Sequence, residues 1–216
     1  MKCSLEENNI NDKYQLSGLF YCHNKDRYRK QIEIKWIHSR KLKHDLMIVM
    51  MNPGGANPKD GYEKVYNKLV PVKSDQTQKL IMEYMNQFGF EFARIINLSD
   101  YCASKSTDFF EKLTSLKNME PNHSLFHKSR KSDLNELFIK NVPVLLAWGV
   151  NEKINELAEK ALRFLKDEGS EIHGLNSPVN NLGYYHPLRR PFKSWLKGME
   201  KLKNSLQNDT HKKLKF

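Results

Sequence analysis

Apolar residues recur along the chain in two rhythms, and their order suggests the fold. Tyr14 to Tyr21 and Tyr28 to Trp36 alternate as half-buried strands do, on either side of a polar turn at His23 to Asp26. Leu46 to Met51 reads LMIVMM, an unbroken apolar run of strand length that suits a central strand covered on both faces. Phe92 to Leu98 and Val142 to Trp148 are two more such runs, the second closed by Gly149. Between them the period lengthens. Asp75 to Phe88 places Leu80, Ile81, Tyr84, Met85 and Phe88 on one helical face, with Ser74 or Asp75 as cap and Gly89 as stop. Helices are also expected over Ser106 to Leu116, Ser129 to Lys140, Asn151 to Asp167 and Phe192 to Leu206, with a short strand at Ser170 to Leu175.

Strands alternating with helices after an opening hairpin predict an α/β fold of three layers, α/β/α, with a mostly parallel central sheet plus an N-terminal β-hairpin. A single domain is expected over 13–207, with a flexible N-terminus at 1–12 and a flexible basic tail at 208–216. In such sheets ligands gather beyond the carboxyl ends of the strands, which is where chemistry should be sought.

Composition narrows the partners. The 216 residues carry 36 Lys and Arg against 25 acids, a net charge of +11, which favours a polyanion such as nucleic acid. Cys3, Cys22 and Cys102 form neither a disulfide framework nor a metal hook, so a reducing cytoplasm is expected. No metal site, membrane span or secretion signal is expected. A P-loop is excluded by the absence of its Gly-Lys motif, and a zinc deaminase by the absence of paired cysteines.

Three strand or loop ends carry candidate chemistry. The first buried strand runs into Asn52-Pro53-Gly54-Gly55, a stiff turn holding a polar amide where two glycines let a ligand come close. Read alone, it is first of all a turn. Asn97 ends the second strand; it could cap a loop, or read the edge of a base with donor and acceptor together. His186 stands before Pro187 between Tyr184-Tyr185 and Leu188-Arg189-Arg190, in a loop leading into the last helix. Trp148 reads as packing.

In this order these pieces resemble the uracil-DNA glycosylase superfamily, and the Asn-Pro-Gly form resembles its mismatch-directed branch. The resemblance covers residues 46 to 206, through Asn52-Pro53-Gly54, Asn97, Trp148-Gly149 and His186-Pro187-Leu188-Arg189. The chain is also similar to an uncharacterised family of bacterial and phage domains over residues 14 to 192, through Ser17 to Phe20, Asn52-Pro53 and His186-Pro187-Leu188.

The first resemblance implies a monofunctional DNA glycosylase, without cofactor and as a monomer, that flips a base out of double-stranded DNA and hydrolyses its bond to the sugar. Asn52 would position water, and His186 would donate to the base oxygen as negative charge grows there. Asn97 and Gly54 would contact the base, on which Tyr62 or Tyr66 would stack. Leu188, Arg189, Arg190 and Lys193 would fill the vacated stack or grip phosphates. The base could be uracil, mismatched thymine or a modified pyrimidine, the last implying a part in phage defence. Asn52 stands where the most active branch has an acid, so turnover should be slow. Two alternatives remain: a DNA-binding protein on this fold without catalysis, and a nucleotide or nucleoside N-glycosidase.

Overall fold

A computed structural model describes residues 9–189 and 191–213, with the side chains of 189 and 203–213 left aside. After a single helical turn, α1 (Ile10–Lys13), the chain forms the hairpin β1 (Tyr14–His23) and β2 (Asp26–Trp36). Asn24 and Lys25 turn it with positive φ, 50° and 70°, the backbone that matches the twist of paired strands in a two-residue turn. The elements that follow are β3 (Leu46–Met50), β4 (Asn57–Pro58), β5 (Leu69–Lys73), α2 (Gln76–Phe88), β6 (Phe92–Asn97), α3 (Ser106–Leu116), α4 (Lys131–Leu137), β7 (Val144–Leu146), α5 (Asn155–Asp167), β8 (Ile172–His173) and α6 (Phe192–Lys213). Residues 1–8 and 214–216 of the two expected loose ends lie outside the described residues.

The α/β class stands, but the expectation of a mostly parallel sheet does not. The eight strands run in the order β4-β5-β1-β2-β6-β3-β7-β8. Four of the seven neighbouring pairs are antiparallel and three, β6-β3, β3-β7 and β7-β8, are parallel. The reason lies in the hairpin. It docks β2 against β6, Ile32 facing Ile95, and so extends the sheet instead of standing apart. The crossovers through α2, α3–α4 and α5 keep their strands parallel, as connections of that length allow.

β3 is buried along its whole length and serves both faces. Met47 and Val49 join Phe109, Leu134, Leu157 and Ala161 in a core beneath α3, α4 and α5. Ile48 and Met50 join Ile81, Met85, Trp195 and Met199 beneath α2 and α6. Helices therefore cover both sides of the sheet. α2 starts in a capping box: the Asp75 carboxylate accepts from Thr77 and Gln78 N–H, and Gln78 Oε1 accepts from Asp75 N–H. Gly89, at φ 78°, ends it in the left-handed region.

Behind the carboxyl end of β6 lies a buried polar network. Asp100, 0% exposed, accepts at one oxygen from Arg130 at 3.0 Å and from the Tyr21 hydroxyl at 3.1 Å. Arg130 also donates to the Asn122 carbonyl and to Asp133. The backbone N–H of Asp100 donates to the His123 carbonyl, and Arg29 N–H to the Asp100 carbonyl.

His123, 2% exposed, pairs Nδ1 with Ser99 Oγ at 2.8 Å, and burial pushes its pKa down from 6.5 to about 4. The unfolded chain then binds the proton more readily than the native one, so this histidine contributes stability that is present above pH 6.5 and is lost as pH falls towards 4. Urea unfolding should show wild-type stability falling by about 2 kcal/mol from this source between pH 7 and pH 5. His123→Asn should lack that part of the fall; an equal fall in both proteins would remove His123 as its cause.

Candidate active site

The parallel half of the sheet sets the site. β3, β6 and β7 lie side by side, and their carboxyl ends deliver Met51-Asn52, Asn97 and Trp148-Gly149 to one edge. Gly149 turns there with φ 98°, and its backbone pairs with Tyr184, which draws the His186 loop over the strand ends. The result is a cavity of about 230 Å³ lined by Asn52, Gly54, Asn97, Trp148, His186 and Leu188 together. It is smaller than the roughly 300–1,000 Å³ of sites for drug-sized ligands, which suits a single ring. A larger groove of about 750 Å³ lies elsewhere, along β1 and β5 beside Tyr14, Lys35 and Pro71, and none of the strand-end residues reaches it.

Burial divides the cavity into a floor and a rim. Asn97 is 1% exposed, and neither its amide nitrogen nor its oxygen has a partner among the described residues. Leaving one such buried group unpaired costs about 1–3 kcal/mol, so this amide offers a donor and an acceptor to whatever enters the cavity. Gln78, 2% exposed, also lines the cavity.

Asn52, at the half-buried rim, donates to the Pro53 and Ala103 carbonyls at 3.2 and 2.9 Å. Two carbonyls on its nitrogen fix the amide's orientation and leave its oxygen as the acceptor for the cavity. His186 is also half-buried, and its Nδ1 accepts from Leu188 N–H at 3.1 Å. In the neutral ring the proton is thereby held on Nε2, so the imidazole is set as a donor. Gly54 lies against Asp75: a Cβ there would stand 3.0 Å from Asp75 Oδ2. Leu188, half-exposed, sits on the rim.

The other expected residues fall elsewhere. Tyr62 is 42% exposed and Tyr66 packs against the core beneath α2. Neither lines the cavity, because the chain after Gly55 departs into the edge strand β4. The aromatic surfaces present are those of Phe110 and Trp148, and Trp148 is anchored by its indole N–H to the Leu182 carbonyl at 2.9 Å. Lys193 is exposed in the first turn of α6, away from the lining. The Arg189 side chain and Arg190 lie outside the described residues.

Two charged residues that the sequence did not mark as site residues line the cavity. Asp75 was legible only as a helix cap; its Oδ1 performs that task while the carboxylate also faces the cavity. Arg29, in β2, is 1% exposed and lines the floor. Burial pushes the pKa of its guanidinium down. A register shift opposite Leu19 and Phe20 leaves Lys30 as an extra residue beside Arg29, a bulge of the kind that re-aims side chains near active sites. No sequence signal pointed to it, since bulges leave no mark in the alternation. Around the rim, Lys105 is exposed between Ser104 and Ser106, and Lys153 lies over the Phe110 ring at 5.5 Å.

A family model described as "Protein of unknown function (DUF1643)" matches residues 29–188. The chain belongs to the DUF1643 family. No curated protein and no solved structure matches the chain. The DUF1643 segment opens at Arg29 and closes at Leu188, so the matched stretch contains every residue of the cavity lining. Among the described residues no helix is long and apolar enough to cross a membrane, and no group of three or more His, Cys, Asp or Glu could hold a metal.

Proposed function

We propose that the protein is a DNA glycosylase that takes a flipped pyrimidine-type base into this cavity and hydrolyses its bond to deoxyribose. The observation that carries the reading is the buried, unpartnered Asn97 amide sharing one ring-sized cavity with Asn52 and His186. An amide offering donor and acceptor together suits the edge of a base. The base enters deepest and the sugar, still joined to the strand, stays at the rim. There the Asn52 oxygen holds a water towards the sugar carbon, and Asp75 is the carboxylate able to take its proton. His186 Nε2–H donates to a ring oxygen as charge develops on it. Asn52 itself has no basicity to contribute, so the slow turnover expected of an amide is offset only as far as Asp75 reaches the water. The rim cations Lys105 and Lys153, with the net charge of +11, suit the phosphates on either side. A sheet with helices on both faces and its site at the parallel strand ends is compatible with a uracil-DNA glycosylase-like fold.

The test is incubation of the full chain with duplexes carrying uracil, thymine opposite guanine, or 5-hydroxymethyluracil, followed by alkaline cleavage of abasic sites. Abasic product from at least one is expected. Salt-sensitive DNA binding with no abasic product from any duplex would instead indicate a non-catalytic DNA-binding protein. Release of base from free nucleotides alone would indicate a small-molecule N-glycosidase.

A further inference from the structure

We propose that the cavity floor is an anion site in which Arg29 holds the base as its ring anion, which restricts substrates to lactam-type bases that leave with a negative charge. This rests on the glycosylase reading and names its substrate class.

The guanidinium donates through one Nη to the Ala56 carbonyl at 3.2 Å, while its buried Nε has no partner among the described residues. Among the described residues no ion pair holds it, and the ion pairs go to other cations. The groups that act on it electrostatically are Cys102, Asp75 and Asp100. Each is accounted for. The Cys102 thiol is pushed up to about 11 by burial and stays neutral. Asp100 faces Arg130. Asp75 has Oδ1 bound to the first turn of α2. A buried cation without a contacting acid is costly unless something anionic visits it.

Bracing the Asn52–Ala56 turn uses only one of the five donors of Arg29, and any neutral donor could do that. The rest suit a ring carbonyl oxygen that gains charge. When the bond from the sugar carbon to the ring nitrogen breaks, its electron pair passes into the ring and onto those oxygens. Water forms the new bond to the sugar carbon and its proton passes to Asp75. The positive floor favours that anion. By the same charge it disfavours bases that must be protonated or alkylated to leave.

The experiment uses 5-nitrouracil, whose ionisation is read from its near-ultraviolet absorbance, titrated with and without the full-length protein. The anion should bind about tenfold or more tightly than the neutral ring, seen as a bound pKa at least about one unit below the free value. Asp75 and His186 also line the cavity and His186 donates to the same ring oxygens, so His186→Gln is run in parallel and should weaken the preference less than Arg29→Met does. Arg29→Met should abolish it and Arg29→Lys should retain most of it. Equal binding of both ring forms by wild type would overturn the proposal and leave any observed excision standing. So would excision without any 5-nitrouracil binding. Displacement of the probe by inorganic phosphate at comparable concentration would assign the floor to a phosphate group and overturn it too. Anion preference without excision would keep the anion site and sink the glycosylase. Should Arg29→Met fail to fold, the wild-type preference and the Arg29→Lys result decide.

Discussion

His186→Ala should lower single-turnover excision by about 10²–10³-fold, the loss typical when a preorganised donor to developing negative charge is removed. The tautomer makes the effect specific. Nδ1 is engaged by Leu188 N–H, so the ring presents Nε2–H, and substitution removes a donor without freeing another. Asn52→Ala should lower excision less, because its oxygen only orients water while Asp75 keeps the charge at the rim. DNA binding at moderate salt should persist in both, since phosphate contacts dominate affinity. Single-turnover kinetics on the best duplex would measure both effects. Unchanged rates in both variants would show that neither side chain serves the reaction.

The largest effect on stability is expected at Arg130. Replacing it with Met leaves the Asp100 carboxylate, 0% exposed, with only the Tyr21 hydroxyl on its paired oxygen. Breaking a buried pair from one side costs about 3–5 kcal/mol, on the order of 10 °C in melting temperature for a chain of this size. The double variant Arg130→Met with Asp100→Asn should recover part of that loss, because an amide is less costly to bury unpaired than a carboxylate. Thermal unfolding of the two single variants and the double one, as a cycle, would check it. A single Arg130→Met variant that melts with the wild type would show the pair to be energetically idle. The same network orders the segment that follows Asn97, so excision should weaken with stability at this position.

The strands visible in the apolar runs are those whose burial is continuous or alternating. β3, β6 and β7 were legible for that reason, and their ends placed Asn52, Asn97 and Trp148 correctly at one edge. β5 was not, because Pro71 interrupts Leu69 to Lys73 and a proline argues against a strand unless it lies near an edge, as this one does. The antiparallel half of the sheet is hidden for a related reason. Alternation tells that β1 and β2 are strands but not that their partner is β6. The site was half legible. Asn52, Asn97 and His186 carry short motifs at strand or loop ends, whereas Arg29 sits in mid-strand and Asp75 was hidden behind its role as a cap. Tyr62 and Tyr66 follow Asn52 closely in sequence, but the chain turns into the edge strand β4 before reaching them and neither lines the cavity.

The cavity takes one wall from β2 and another from the loop before α6, so residues from both ends of the matched segment must meet before it exists. During synthesis the hairpin, β3 and β6 can pair while the His186 loop has yet to emerge, and such distant closures come late in folding. Until that loop arrives, a nascent chain has the amides but no imidazole. The cavity thus closes late.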